Sequence, residues 1–232
     1  MFITVKNATK RYGTKENAIY ALNDVSFETE QGEIVVILGA SGSGKSTLLN
    51  MLGGLDQPDS GKIEVNGHHL EAMTGKQLSE YRRTDVGFIF QSYNLVPDLT
   101  AYENAELICD TADNTISVET LFQELGLSEH KNHFPKELSG GQQQRVAIAR
   151  AMVKNPKLLL CDELTAALDS KSSKEVLKLV EKMNQNHGTT ILIVTHNELI
   201  AKMADRVIKM KDGKIIENGL NAEKVKAAEL EM

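Results

Sequence analysis

The chain of 232 residues is poor in the features that mark several large protein classes. It holds only two cysteines, Cys109 and Cys161, too few for a disulfide framework. No apolar run approaches the ~20 residues that a bilayer crossing needs. The opening Met1-Phe2-Ile3-Thr4-Val5-Lys6 lacks the charged-then-apolar pattern of a signal peptide. No long basic run occurs, the net charge is -6, and the only adjacent arginines are Arg82 and Arg83. This charge balance argues against a general nucleic-acid binder. There is no internal repeat, low-complexity tract or linker. The expectation is a soluble protein of a reducing compartment, with membrane association only through a partner. Apolar residues make up 41%, enough for a sizeable core.

The strongest positive signal is Gly39-Ala40-Ser41-Gly42-Ser43-Gly44-Lys45-Ser46-Thr47. A β-branched apolar run, Glu33 to Leu38, precedes it, as in a buried parallel strand. A helix-favouring stretch, Thr47 to Leu52, follows. Glycines let the backbone curl around an anion with its N–H groups inward, and the new helix adds free donors and a positive dipole end. In such a loop Lys45 reaches the β- and γ-phosphates and the Ser46 hydroxyl ligates Mg²⁺.

Apolar segments with turn signals organise the rest. The first thirty residues read as strands and turns, with Ile3, Val5, Val25 and Phe27 alternating with polar neighbours. Strands are expected at Lys62–Val65, Val86–Phe90, Lys157–Cys161 and Thr190–Val194. Helices are expected from Tyr102 to about Leu125, from Gly140 to Lys154, from Ser172 to Asn186 and in the tail from Asn221. Arg206–Met210 and Lys214–Glu217 flank Asp212-Gly213 as a hairpin. Alternating strands and helices predict a mainly parallel α/β sheet.

Three of these strands end in polar residues: Gln91, Asp162-Glu163 and His196. Ligands of open α/β sheets bind at the carboxyl ends of strands. Taken singly, Gln91 reads equally well as a loop cap, Asp162-Glu163 as a turn start and His196 as a helix start. Together behind separate strands they match what phosphoryl transfer to water requires: a metal, charge neutralisation and an oriented nucleophile. Asp162 suits Mg²⁺ and Glu163 suits the general base. His196 suits a γ-phosphate bond, and Gln91 suits contacts to Mg²⁺ and water.

A second motif, Leu138-Ser139-Gly140-Gly141-Gln142-Gln143-Gln144-Arg145, opens a helix with two glycines behind a serine N-cap candidate. A capped helix start explains Ser139 but not both glycines; a second anion site explains all three. With these motifs in this order, and with Asp169 between Glu163 and His196, nearly the whole chain resembles the ATP-binding-cassette family. The resemblance implies an α/β P-loop NTPase core with a mainly parallel sheet, an antiparallel N-terminal β subdomain and a helical subdomain inserted at about residues 92–150. It makes the span 1–232 a single ATP-binding domain. It implies an ATPase in which Ser139, Gly140, Gly141 and Gln142 contact the γ-phosphate held by another subunit, so that two subunits sandwich two ATP molecules. Tyr12 then corresponds to the aromatic residue that stacks on adenine, although an exposed turn tyrosine reads the same. Asp169 corresponds to the loop coupling the two sites, and reads also as a helix cap.

The resemblance implies a separate integral membrane permease as partner, with the chain cytoplasmic and peripheral on the inner face of the membrane. Finer signs, Gly87-Phe88-Ile89-Phe90-Gln91 with Asn94-Leu95 and Leu168-Asp169-Ser170, are similar to the branch of macrolide exporters, lipoprotein-release ATPases and antimicrobial-peptide-resistance transporters. The chain departs from the family pattern at Leu164 (usually proline), Ala166 (often glycine) and Ala40 (often proline), and in a short stretch between Gln91 and Leu138. The competing classes are a non-transport family member in iron–sulfur assembly or cell-division signalling, and a P-loop kinase, which has no use for the motif at Ser139. A metal site from Cys109, His130 and His133 has a spacing that matches no usual ligand set.

Overall fold

The computed structural model describes residues 1–14, 17–109 and 115–232. Strands β1 (Ile3–Tyr12), β2 (Ile19–Thr29), β4 (Ser60–Val65) and β5 (His68–His69) form an antiparallel sheet of order β2-β1-β4-β5. The second sheet has the order β10-β9-β3-β8-β7-β6. It is built from β3 (Ile34–Leu38), β6 (Val86–Ile89), β7 (Leu158–Asp162), β8 (Thr190–Thr195), β9 (Arg206–Lys211) and β10 (Lys214–Leu220). All its pairings are parallel except the β9–β10 hairpin. This confirms the expected class of a parallel-rich core with an antiparallel N-terminal layer.

The central strands are apolar throughout because both of their faces are covered. In β3, Ile34, Val36 and Leu38 enter one core, and Val35 and Ile37 enter the other. In β8, Ile191 and Ile193 face the first core while Leu192 and Val194 face the second. The pleat sends alternate side chains to opposite faces. The first core is closed by α5 (Gly140–Met152), α6 (Ser170–His187) and the helical piece that precedes α5. The second is closed by α1 (Lys45–Leu52), α2 (Gly75–Thr84) and the antiparallel sheet.

Three expectations differ from the structure. The single helix from Tyr102 to about Leu125 is two short ones, α3 (Ala101–Glu106) and α4 (Val118–Glu124); residues 110–114 of that stretch lie outside the described residues. Ser117 then starts α4 by accepting the Thr120 N–H at 3.1 Å. The tail from Asn221 is no helix beyond a 3-10 turn at Ala227–Glu229. It is held instead by specific bonds. Asn221 donates to the carbonyls of Ala201, Lys202 and Ala204, Lys224 pairs with Asp205 at 2.7 Å, and Ala227 and Leu230 are buried. Helix α2, finally, carries a capping box of Thr74 and Gln77 that the sequence reading passed over.

Candidate functional site

Three strand ends of the parallel sheet meet at one edge. Leu38 pairs with Thr195, and Asp162 pairs with Val194, so β3, β7 and β8 finish side by side. The loop 39–44 leaves β3 and turns into α1. Gly44 caps α1 at φ 100, and a Cβ there would sit 2.2 Å from the Ala21 carbonyl, so glycine alone fits. Lys45 is buried and donates to the carbonyls of Gly39 and Ala40 at 2.8 and 2.9 Å. It makes no ion pair among the described residues. A buried ammonium that bonds only to neutral carbonyls, with the Asp162 carboxylate acting on it from beyond ion-pair distance, is an incomplete arrangement that an anion would complete.

A hollow of about 760 Å³ joins Tyr12, Ser41, Gly42, Gly44, Lys45, Ser46, Thr47, Gln91, Asp162, Glu163 and His196. Gly39, Ala40 and Ser43 complete the loop on its outer side, beside His196. Within the hollow the Ser46 hydroxyl lies 3.4 Å from Asp162 Oδ1. Burial pushes the Asp162 carboxyl above its usual range, against the Ser46 bond. A divalent cation between Ser46 and Asp162 would reverse that shift. Glu163 is held at three points. His196 Nδ1 lies 3.0 Å from Oε1, the Thr195 hydroxyl donates to Oε2 at 3.2 Å, and the Glu163 N–H donates to the Val194 carbonyl at 3.0 Å. Its φ of 49° is in the left-handed region, which a residue with a long side chain seldom adopts and which clusters at functional sites. Tyr12 is half-exposed, and its hydroxyl donates to Asp56 Oδ2 at 2.7 Å.

The other site residues lie elsewhere. Ser139 caps α5, accepting the Gln142 N–H at 3.3 Å while the Gln142 side chain accepts the Ser139 N–H at 2.8 Å. Ser139, Gly141, Asp169, Ser172, Arg145 and Lys171 line a separate hollow of about 300 Å³. Asp169 caps α6; the Ser172 N–H and hydroxyl bind it at 2.9 and 2.7 Å and draw its carboxyl below the usual range. The residues expected to touch nucleotide thus fall into two places on one chain. A physical link joins them: Arg150 of α5 donates to the carbonyls of Tyr93 and Asn94, just past Gln91, at 2.9 and 2.6 Å. A Cβ on Gly140 would come within 3.0 Å of the Tyr93 hydroxyl. His130 and His133 lie ring to ring, and no group of three metal-ligating side chains occurs among the described residues.

Sequence reasoning did not single out Thr195, Asp56 or Arg150. Thr195 had a signal, since it stands between an apolar strand and His196. Asp56 and Arg150 act across 44 and 57 residues of chain, and nothing local marks them.

Comparison with known proteins agrees with this geometry. The ABC transporter family model matches residues 22–166. The chain is 44% identical over 230 residues to the macrolide export ATP-binding/permease protein MacB of Vibrio parahaemolyticus, covering 97% of this chain and 35% of that protein. It is 41% identical over 222 residues to MJ0796 of Methanocaldococcus jannaschii, an uncharacterized ABC transporter ATP-binding protein, covering 92% of this chain and 94% of the other. Among solved structures it superposes on the dimeric cassette MJ0796 with a TM-score of 0.85 at 40% identity, over 94% of this chain and 98% of that one. A dimeric post-hydrolysis state of the same cassette, bound to ADP and Pi, gives a TM-score of 0.84. The chain therefore belongs to the ABC transporter family, as an ATP-binding cassette with ATPase activity. It spans about a third of the length of the macrolide and syringafactin export relatives it matches.

Proposed function

We propose that two copies of this cassette close around two ATP molecules, each bound by the phosphate loop of one copy and the Ser139 helix start of the other. The observation that carries this reading is the split itself: the phosphate loop and Glu163 line one hollow of a copy, and the helix start at Ser139 and Gly141 lines a separate one. The matched cassette MJ0796 has been solved as a dimer, which supports this reading.

In this reading the loop amides of residues 39–44 and Lys45 bind the β- and γ-phosphates, with Thr47 at the start of α1, and Tyr12 lies against adenine. Ser46, Asp162 and Gln91 would hold Mg²⁺, which would supply neutralisation of the charge that develops on the phosphates. The donor set fits: a hydroxyl, a carboxylate already raised by burial and an amide, all oxygen ligands. Glu163 takes the proton of the attacking water. His196 and Thr195 occupy both Glu163 oxygens and fix the carboxylate's direction. A neutral His196 that donates through Nδ1 presents Nε2 as an acceptor. A bond from His196 to a γ-phosphate oxygen therefore requires the doubly protonated ring or movement away from Glu163.

Loss of the γ-phosphate removes the bridge to Ser139 and lets the pair open. Moving an equilibrium from 1:99 to 99:1 takes about 5.5 kcal/mol of differential binding, more than one exposed helix terminus supplies, so both halves are needed. No helix among the described residues is long and apolar enough to cross a membrane. In this reading the moved part is an integral permease, taken as a separate chain, with the cassette peripheral on the cytoplasmic face. The macrolide and syringafactin export relatives support outward transport, and the motif resemblance extends the reading to extracytoplasmic mechanical work on drug, peptide or lipoprotein substrates.

The test is Glu163→Gln. Hydrolysis should fall at least about a hundredfold while ATP still binds, and ATP should convert the protein to a dimer on sizing. Unchanged turnover removes Glu163 as base; a variant that binds ATP and never dimerises, even with its membrane partner, overturns the whole reading.

A further inference from the structure

The proposed function gives Ser139 a role and gives none to His130 or His133, which stand just upstream of α5. His130 Nε2 lies 2.8 Å from Gln142 Nε2, and His130 Nδ1 lies 3.3 Å from His133 Nδ1. Only one placement of protons satisfies these contacts. The Ser139 N–H can only donate, so the Gln142 oxygen faces it, at 2.8 Å. The opposite end of that amide, an NH₂ with no acceptor capacity, then faces His130. His130 Nε2 must accept. A neutral ring with its lone pair at Nε2 carries its proton on Nδ1, which donates to His133 Nδ1. His133 in turn carries its proton on Nε2. The bonds run in one direction, from Ser139 N–H to Gln142 oxygen and from Gln142 NH₂ to His130 to His133.

We propose that His130 is a positioning residue for the Ser139 half-site: its Nε2 lone pair fixes the Gln142 amide in the orientation that caps α5. The proposal rests on the reading of Ser139 as an anion contact. With Gln142 so fixed, the Ser139 oxygen accepts the Gln142 N–H at 3.3 Å, and the hydroxyl proton stays free to donate to a phosphate. A flipped amide sets NH₂ against the Ser139 N–H, donor against donor, and the capping box opens. The ionic neighbours of this turn have partners of their own: Lys131 pairs with Glu119, and Glu137 accepts the Phe134 N–H at 2.7 Å. Arg145 reaches the Leu125 carbonyl at 3.3 Å.

Two arms test this. In ¹⁵N-labelled protein, NMR should show an unprotonated His130 Nε2 with a through-hydrogen-bond nitrogen–nitrogen coupling to Gln142 Nε2. That coupling reports the bond itself, and the dimerisation arm separates a positioning role from a merely structural one. In the Glu163→Gln background, His130→Gln restores an acceptor and should dimerise with ATP as its parent does. His130→Lys offers only donors, and should need about five- to tenfold more protein for the same dimer fraction, the loss expected when an N-cap fails. Its monomer should bind ATP as the parent does. No coupling, or equal dimerisation of the glutamine and lysine variants, overturns the proposal. A Glu163→Gln parent that stays monomeric overturns the two-copy reading instead, and the coupling alone then decides whether His130 holds the amide.

Discussion

The phosphate loop and the Ser139 helix start are both N-terminal helix ends, yet they are built differently. The loop reaches its geometry through backbone: Gly42 and Gly44 at φ 79 and 100, Gly39 pressed against Met210, and a buried Lys45 with no counterion in its ion-pair range. Its cap, Gly44, contributes no side-chain bond, so the first N–H groups of α1 remain open to a ligand. The Ser139 start is already satisfied by its own side chains through a reciprocal capping box. What it leaves free is one hydroxyl proton. The lesson is one of division: the first site is unfinished without an anion, whereas the second is complete and can release one. In the proposed two-copy reading, a clamp that opens each cycle needs one strong half and one weak half.

The largest break in that comparison is Lys45→Ala. It removes the buried charge from the strong half and should weaken ATP binding about a hundredfold, measured by titration calorimetry. Dimers should vanish with it. The matching change in the weak half is Ser139→Arg. Monomer ATP affinity should stay within about twofold, because the two hollows are separate, while ATP-dependent dimers disappear on sizing of the Glu163→Gln form. Equal loss of affinity in both variants would erase the distinction between halves. A smaller effect tests the rim of the strong half. Asp56→Ala frees the Tyr12 hydroxyl and should raise the ATP dissociation constant about fivefold, with kcat unchanged.

Legibility in the sequence followed the same division. The loop, the strand ends and the Ser139 motif were readable because each is local: β-branched runs buried on both faces, glycines at fixed offsets, a serine three residues ahead of Gln142. What escaped was set by contacts distant in the chain. Tail residues with adequate helix propensity are docked by Asn221 and by burial of Leu230 rather than wound into an α-helix. The end of α3 at Glu106 was missed because the helical, polar pattern of Tyr102 to about Leu125 read as one element. Asp56 and Arg150 carry no local mark, since their partners are brought to them only by the folded sheet.

The smallest effect concerns α5 itself, whose two ends serve different purposes. Just beyond its far end Lys154 is largely buried, donates to the Arg82 carbonyl at 2.5 Å, and is pushed down to about 8 by burial, against the pull of Asp85. The folded value lies below that of an unfolded lysine, near 10.4. Between about pH 8 and 10.4 the unfolded chain therefore binds more protons, and stability contributed at this site rises with pH across that window. Below it, the folded protein carries a penalty for the buried charge. Lys154→Met removes the charge while keeping the stem, and should raise stability at pH 7 by about 1 kcal/mol in denaturant unfolding, with the gain shrinking toward pH 10. ATP binding and dimer formation should not change, because the cap at Ser139 lies at the opposite end of the helix. A Lys154→Met protein with altered dimerisation would mean that the weak half is tuned along the whole length of α5 rather than at its first turn.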